Sequence, residues 1–339
     1  MWSFAARRLT FVGRTIVTIA VLLAVAYFGL AIHYWLGWPS WVRSYGALVF
    51  VVIGICLWFL PDHSRRVGRG MVLTSVSVLA VAYALKTPVD QTWVPLHQEL
   101  VSARIDGTSV QVSNFRDAVH AAGEPAEPRW VNTSFDLADL MGAELILQPF
   151  GDSKATEHVI LSFRFADGRH VAVSMEARRT SWTGFDALAG FFRHDQLYAV
   201  IGTERDVLWK RLAREEPHDL FIFPLSATPE GLQVYFRRIL ELANELSQKP
   251  QFYSTITDSC MTTLIKLAPE VFQTVRWTDI RRWVPGYSLE LFQELGLVDD
   301  SISTEALRAR QRLRKGIENP DTFPNDAAWS AYLRNPGSN

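Results

Sequence analysis

Nearly all of the long apolar runs in this chain precede Lys86, whereas its charged residues are concentrated after that position. Three runs are candidate membrane helices, residues 16–36, 41–60 and 71–85. A helix needs roughly 20 apolar residues to cross the hydrocarbon core, a length that the first two runs meet and the third approaches. We therefore predict a transmembrane region of three helices over residues 1–86. A signal peptide is disfavoured because the first run lacks a small-residue cleavage site, which leaves a buried hairpin of a soluble protein as the alternative.

The distribution of arginine predicts how these helices are oriented. Three arginines precede the first run and three lie between the second and third runs, whereas the loop between the first and second runs has only Arg43. Because basic loops stay in the cytoplasm, we expect the amino terminus inside and all residues after Lys86 outside. In a Gram-negative bacterium, this places the protein in the inner (cytoplasmic) membrane with its soluble part in the periplasm.

The net charge and the two cysteines limit the kinds of function that the chain can have. The formal net charge of -1 gives no support for nucleic-acid binding. Cys56, in "VVIGICLWFL", has the apolar neighbours of a structural cysteine, whereas Cys260, in "FYSTITDSCMTTLIKLAP", lies among Asp, Ser and Thr. With the other thiol in the membrane no disulfide is expected, so Cys260 is predicted to be a free thiol in an oxidising compartment.

The soluble part is predicted to have an α+β fold, with a mostly antiparallel sheet packed with helices. Residues 87–128 are interpreted as a connector that includes one short strand, "SVQVSNF". Runs rich in β-branched and aromatic residues then predict the strands of one sheet. These runs are "AELILQPF", "HVILSFRF", "HVAVSME", "QLYAVIGT" and "DLFIFPL".

Three helices are predicted around this sheet. "ERDVLWKRLARE" separates the last two strands, and a longer helix capped by Thr228 runs to about Ser247. A short helix begins near Cys260, is capped by Thr257 or Asp258, and must end near Pro269.

The hairpin around "FADGR" has a register that can be derived from its apolar residues. Both strands alternate, and a slip of one residue would expose one whole apolar set to water. A three-residue loop with Gly168 in the left-handed region aligns the two sets. Under that register His158 lies opposite Glu176, on the less apolar face of the sheet with Ser162 and Ser174.

These residues could supply thiol chemistry. Unpaired N–H groups at a helix start stabilise a thiolate, a histidine takes its proton, and a carboxylate orients the histidine. Cys260, His158 and Glu176 supply these roles, and the Cys260 backbone N–H could bind an oxyanion. The alternatives are an inert cysteine, a Glu176 that only pairs with nearby arginines, and competing histidines, namely His170, His194 and His218. No metal or cofactor motif such as H-E-x-x-H or a phosphate-binding glycine loop is present, so neither is expected.

Six segments in order resemble the bacterial Lnb-type periplasmic domain, a family named for a lipoprotein N-acyltransferase. They are "RWVNTSFDLADL", "EHVILSFRFADGRHVAVSMEARR", "LAGFFRHDQLYAVIGTERD", "LFIFPLSATPEG", "FYSTITDSCMTTLI" and "VPGYSLELFQELGLV". They span residues 129–298, and the resemblance implies that this segment is a periplasmic catalytic domain. Residues 299–339 are then interpreted as a C-terminal tail. The family is similar to circularly permuted papain-like enzymes of the NlpC type, in which the histidine strand precedes the cysteine helix.

The resemblance implies roles for three residues. His158 matches the family's histidine, Cys260 its cysteine and Glu176 its acidic residue, whereas Asp258 and Ser259 stand where the family has Asn. We therefore expect a membrane-anchored thiol acyltransferase, with phospholipid and lipoprotein as substrates. A cysteine peptidase or amidase acting on peptidoglycan or protein would use the same residues, and a catalytically silent envelope binding module would use none of them.

Overall fold

The chain divides into two compact units in a computed structural model. The structure describes residues 2–121, 124–150, 153–181, 184, 186–213, 219–313 and 315–335, with only the backbone described for residues 2–10. The first unit contains Met1–Thr87 and Ala187–His194, and the second contains Pro88–Asp186 and Asp195–Asn339.

The first unit contains three long helices, α1 (Trp2–Trp35), α2 (Ser40–Trp58) and α3 (Asp62–Leu85). By length and composition, each has a segment able to cross a membrane, which in α1 is Phe11–Trp35. The three predicted apolar helices are thus confirmed. The third is longer than the apolar run alone predicted, because helical structure extends back through polar residues to Asp62, directly after Pro61.

The segment Ala187–His194 is bound to the carboxyl-terminal halves of α1 and α3. The Tyr27 hydroxyl donates to the Phe191 carbonyl at 2.8 Å, and the Trp35 indole donates to the Phe192 carbonyl at 2.7 Å. From α3, the Tyr83 hydroxyl donates to the same Phe191 carbonyl at 3.2 Å. A segment from beyond Lys86 therefore contacts the halves of α1 and α3 that were predicted to face outwards.

Within its described residues, the second unit is built on a sheet of eight strands, antiparallel except where the second strand runs parallel to the seventh. The strand order is β1-β2-β7-β6-β5-β4-β8, and β3 pairs with β2. The strands are β1 (Ser102–Asp106), β2 (Ser109–Arg116), β3 (Trp130–Asp136), β4 (Leu140–Pro149), β5 (Glu157–Phe165), β6 (His170–Arg178), β7 (Gln196–Thr203) and β8 (Phe221–Pro224). The α+β fold is confirmed, and the predicted connector contributes two strands, β1 and β2, to the sheet.

Helices cover both faces of this sheet. They are α4 (Glu204–Leu212), α5 (Pro229–Gln248), α6 (Cys260–Lys266), α7 (Pro269–Phe272), α8 (Ser288–Glu294), α9 (Thr304–Gln311) and α10 (Asp326–Arg334). One face, named the α5–α6 face, packs against α5, α6 and α8, and the other, named the α4–α10 face, packs against α4 and α10. Thr228 caps α5 as predicted, with its hydroxyl accepting the Gly231 N–H at 3.2 Å.

The segment predicted as a tail contributes to the core of this unit. Trp329, on α10, is completely buried against the α4–α10 face. Arg334, also on α10, forms ion pairs with Glu144 of β4 and Glu204 of α4. The sequence pattern missed this role because α10 is short and its partners lie more than a hundred residues away.

Candidate functional site

The β5–β6 hairpin has the predicted turn and register. Gly168 has a φ of +84°, a conformation that costs other residues energy because of their Cβ atom. Pairing runs from Arg164–His170 to Ile160–Ser174. The same register places His158 opposite Glu176, and both side chains lie on the α4–α10 face, next to Ser174.

Ser174 connects the predicted base to the predicted acid. Its hydroxyl donates to Glu176 Oε1 at 3.0 Å and lies 2.6 Å from His158 Nε2. Because the only hydroxyl proton is directed at Glu176, the serine oxygen must accept from a protonated Nε2. The direct distance from Nε2 to Glu176 Oε1 is 3.9 Å. The arrangement therefore leaves Nδ1 as the basic nitrogen of His158.

Glu176 is the centre of a buried charged cluster. Arg211 Nη2 lies 3.3 Å from Oε1, and Lys210 Nζ lies 3.9 Å from Oε2. Burial raises the pKa of Glu176, but these cations outweigh it and hold the pKa well below its ordinary value. Burial, followed by the charge of Arg211, lowers the pKa of His158 to about 3. The resting site therefore contains an ionised Glu176 and a neutral His158.

A second histidine that sequence analysis did not single out faces the same carboxylate. His97 is 1% exposed, and its Nδ1 accepts the Arg179 N–H at 3.0 Å, so its proton is on Nε2. That Nε2 lies 3.8 Å from Glu176 Oε2 and has no hydrogen-bond partner among the residues that the structure describes. His97 belongs to a segment far from the hairpin in sequence, and no local pattern indicates this contact.

Cys260 is the first residue of α6, but the cap of this helix differs from the prediction. Ser259 is the N-cap, and its side chain and that of Thr262 form a capping box. Asp258 instead accepts from Lys266 at 2.6 Å and from the Thr257 hydroxyl at 2.7 Å. The prediction of Thr257 or Asp258 as the cap was wrong because the helix begins one residue later. The carboxylate of Asp258 is paired with a cation rather than directed at the thiol.

The Cys260 thiol is buried, and burial raises its pKa to about 11. Backbone N–H groups of Val159, Met261 and Cys260 itself act in the opposite direction by hydrogen bonding to the sulfur. The predicted stabilisation of a thiolate at a helix start is therefore present, but it is outweighed by the loss of water around the sulfur.

The structure brings His158 and Glu176 together but does not pair them with the thiol. Cys260 packs into the core of the α5–α6 face, whereas the two other side chains point to the opposite face. Within the described residues no hydrogen bond joins Cys260 to His158. The paired residues of β5 and β6 end at Ile160 and Ser174. The backbone N–H of the next residue of β5, Val159, donates to the Cys260 sulfur. The thiol therefore contacts the backbone of the residue that adjoins His158.

An apolar cavity of about 210 Å³ lies beside this contact. Val159 and Met261, whose backbone N–H groups reach the Cys260 sulfur, both belong to its wall. The rest of the wall is also largely apolar and includes Leu161, Leu225, Leu232, Tyr235, Leu264, Ala268, Val271, Phe272, Phe292 and Leu297. Such a lining favours a hydrocarbon chain over a peptide or sugar.

The competing histidines have other positions. His170 Nδ1 lies 3.0 Å from the Gly168 carbonyl, at the turn end of the hairpin. His194 belongs to the first unit, and His218 lies outside the described residues. Among the residues that the structure describes, no three His, Cys, Asp or Glu side chains are arranged to hold a metal ion.

Three helices able by length and composition to cross a membrane, together with an α+β unit that has a buried thiol beside an apolar cavity, indicate the class of membrane-anchored proteins. Residues 126–286 match the family model described as the Lnb N-terminal periplasmic domain, which confirms the predicted resemblance to this family. No curated protein and no solved structure matches the chain.

Proposed function

We propose that the protein is a periplasmic thiol acyltransferase that carries an acyl chain as a thioester on Cys260. The observation that carries this proposal is the apolar cavity whose wall includes Val159 and Met261, the two neighbours of the sulfur. The chain's own membrane helices favour a substrate from the bilayer. A phospholipid is the proposed donor and a lipoprotein amino terminus the proposed acceptor, the latter on the basis of the family resemblance.

The first half-reaction forms a thioester and releases an alcohol. The sulfur attacks the ester carbonyl while its proton passes to His158 Nδ1, and the carbon–oxygen bond to the alcohol then breaks. His158 returns the proton to the departing alkoxide, which gives the lysolipid. In the second half-reaction the acceptor amine attacks the thioester, an amide forms, and the amine's proton restores the thiol. Backbone N–H groups near the sulfur would bind the oxyanion.

The resting pKa values require this proton transfer to be coupled to attack. The pKa of the thiol is raised to about 11 and that of the imidazole is lowered to about 3. Moving the proton from sulfur to imidazole before substrate binds would therefore cost roughly 11 kcal/mol, at about 1.4 kcal/mol per pKa unit. Substrate binding must also bring His158 within reach of the sulfur, because the two side chains lie on opposite faces of the sheet. Glu176, acting through Ser174, would stabilise the imidazolium that forms.

A catalytically silent binding module is the second candidate. It is favoured by the separation of His158 from Cys260 on opposite faces of the sheet and by the raised pKa of the thiol. In that case the cavity would bind an acyl chain without any transfer.

Intact-mass measurement of the purified full chain after incubation with phospholipid separates these candidates. The transferase gains the mass of one acyl chain, hydroxylamine removes it, and Cys260→Ala prevents it. The control variant Cys56→Ala, which changes a thiol on α2, keeps the adduct. An unmodified wild-type chain, or an adduct that persists in Cys260→Ala, would rule out the proposed thioester.

A further inference from the structure

Large apolar side chains are exposed on a loop between α7 and α8, residues 276–283, named here the Trp277 loop. Trp277 is 76% exposed and Ile280 is 61% exposed. Tryptophan is highly buried on average in folded proteins, and clustered exposed apolar side chains mark interaction sites.

Hydrogen bonds within the loop and to Val275, the residue before it, fix its conformation. The Trp283 indole donates to the Trp277 carbonyl at 2.7 Å, and the Asp279 N–H donates to the Arg276 carbonyl at 3.0 Å. Arg282 Nη1 donates to the Val275 carbonyl at 3.1 Å. The loop thus presents Trp277 and Ile280 on a formed backbone, so that little conformational entropy is lost when they bind a partner.

The charge of the loop complements an anionic surface. It contains three arginines and one aspartate, and Arg276 is exposed next to Trp277. Arg281 is paired with Asp279 and Glu294. Tryptophan is enriched at the headgroup level of membranes, and arginine binds the phosphates of anionic lipids.

We propose that the Trp277 loop docks on the surface of the bilayer that the chain's own helices span. Trp277 and Ile280 insert at the headgroup level, and the exposed Arg276 contacts anionic phospholipid. Because the same chain has three candidate membrane spans, a bilayer is the partner that the loop would meet. Val271 and Phe272, in the wall of the apolar cavity, precede the loop by only a few residues. The proposal depends only on the exposed loop and the candidate spans. Its test is therefore independent of whether Cys260 forms a thioester.

The test places an environment-sensitive nitrobenzoxadiazole dye within the loop of the full chain. Thr278→Cys, in a Cys56→Ser/Cys260→Ser background, leaves Trp277 and Ile280 intact and puts the dye at an exposed position between them. The chain is reconstituted in lipid discs of phosphatidylcholine and phosphatidylglycerol that contain a nitroxide-labelled phospholipid. The matched control is Met141→Cys, at a side chain that is 50% exposed on β4.

Docking predicts that the emission from position 278 shifts to shorter wavelength and loses intensity to the nitroxide, while position 141 does neither. Adding Trp277→Ser and Ile280→Ser reverses both effects, and omitting phosphatidylglycerol weakens them. A dye at 278 with emission typical of water overturns the proposal. So does a dye that is shielded from water but not quenched by the labelled lipid, because a protein partner or a second copy would then cover the loop.

Discussion

The Ser174 hydroxyl lies between the two polar groups of the β5–β6 hairpin, 2.6 Å from His158 Nε2 and 3.0 Å from Glu176 Oε1. The carboxylate therefore acts on the imidazole through a serine rather than directly. This arrangement fixes the tautomer of His158, and it makes Ser174 a positioning residue for the proposed transfer.

Ser174→Ala is expected to slow the proposed transfer by about 10- to 100-fold, because hydrogen bonds to charged groups contribute roughly 1.5–3 kcal/mol. Steady-state kinetics with phospholipid measure the loss. Two-bond proton–nitrogen spectra of labelled histidine should show His158 protonated at Nε2 in the wild type and a mixture of tautomers in the variant.

The matched control for this prediction is Ser162→Ala. Ser162 is equally buried on the same face, but its hydroxyl donates to Glu204 at 2.5 Å, away from His158. It should lower stability without changing the tautomer. Equal rates and unchanged spectra in Ser174→Ala would show that the serine only fills space.

The register of the β5–β6 hairpin was predictable because the residues that determine it are close together in the sequence. The alternation of apolar residues and the need for positive φ at Gly168 together fix which residues face each other, and the register follows. The helix cap at Thr228 is local in the same way. The face of the sheet on which Cys260 lies was not predictable, because it depends on where α6 packs, and local spacing contains no such information.

The charged cluster around Glu176 was also beyond sequence reasoning. Its members come from three separate segments, with His97 before the sheet, the hairpin in the middle, and Lys210 and Arg211 on α4. His97, Lys210 and Arg211 each look like an ordinary surface or core residue in their own segments. Only the fold shows that they share one carboxylate.

Ala268→Leu is expected to shorten the acyl chain that the protein accepts. Ala268 is 7% exposed in the wall of the apolar cavity, so a larger side chain removes volume that a long chain would occupy. Mass spectrometry of the thioester formed from a mixture of phospholipids should show the distribution move to shorter chains. Ala243→Leu, on α5 and outside the cavity wall, controls for overpacking, which costs about 1–3 kcal/mol at either position. An unchanged distribution in Ala268→Leu would mean that acyl chains bind elsewhere.

Reporter fusions test the orientation of the membrane helices. Fusions after residues 40 and 90 should be active outside the cytoplasm, and a fusion after residue 66 should be active inside. The physical reason is the three arginines in the first turns of α3, Arg65, Arg66 and Arg69, which the positive-inside rule keeps on the cytoplasmic side. A cytoplasmic signal at residue 90 would contradict the periplasmic location of the second unit and, with it, the proposed substrates.

The stability of the second unit is expected to fall as the pH drops below 6.5. The pKa of His158 is lowered to about 3 by burial and by Arg211, so the unfolded chain binds a proton before the folded one does. The contribution of such a group is complete above the unfolded pKa and is lost at lower pH, by about 1.4 kcal/mol at pH 5.5. Urea unfolding at pH 8 and 5.5 measures this loss, which His158→Asn should reduce by that amount. An identical pH dependence in the variant would mean that His158 is solvated in the folded chain.

Alkylation of Cys260 by iodoacetamide reports the pKa of the thiol in the resting protein. Because the pKa of the thiol is about 11, only about one molecule in ten thousand carries a thiolate at pH 7, and the alkylation rate should rise about tenfold per pH unit up to pH 10. An ordinary cysteine would level off near pH 9. The measurement is made in a Cys56→Ala background, so that only one thiol reacts.

His158→Ala should leave this alkylation profile unchanged, since no hydrogen bond joins His158 to Cys260 in the described residues. In the transferase, the same variant should nevertheless lose acylation by phospholipid at pH 7 to 8, because His158 takes the thiol proton only when the sulfur attacks the ester. Unchanged alkylation together with lost acylation in this variant would therefore mean that His158 acts during the reaction but does not affect the pKa of the resting thiol. Acylation that survives in His158→Ala would exclude His158 as the base, and a wild-type chain that is alkylated but never acylated would leave the cavity as a binding site alone.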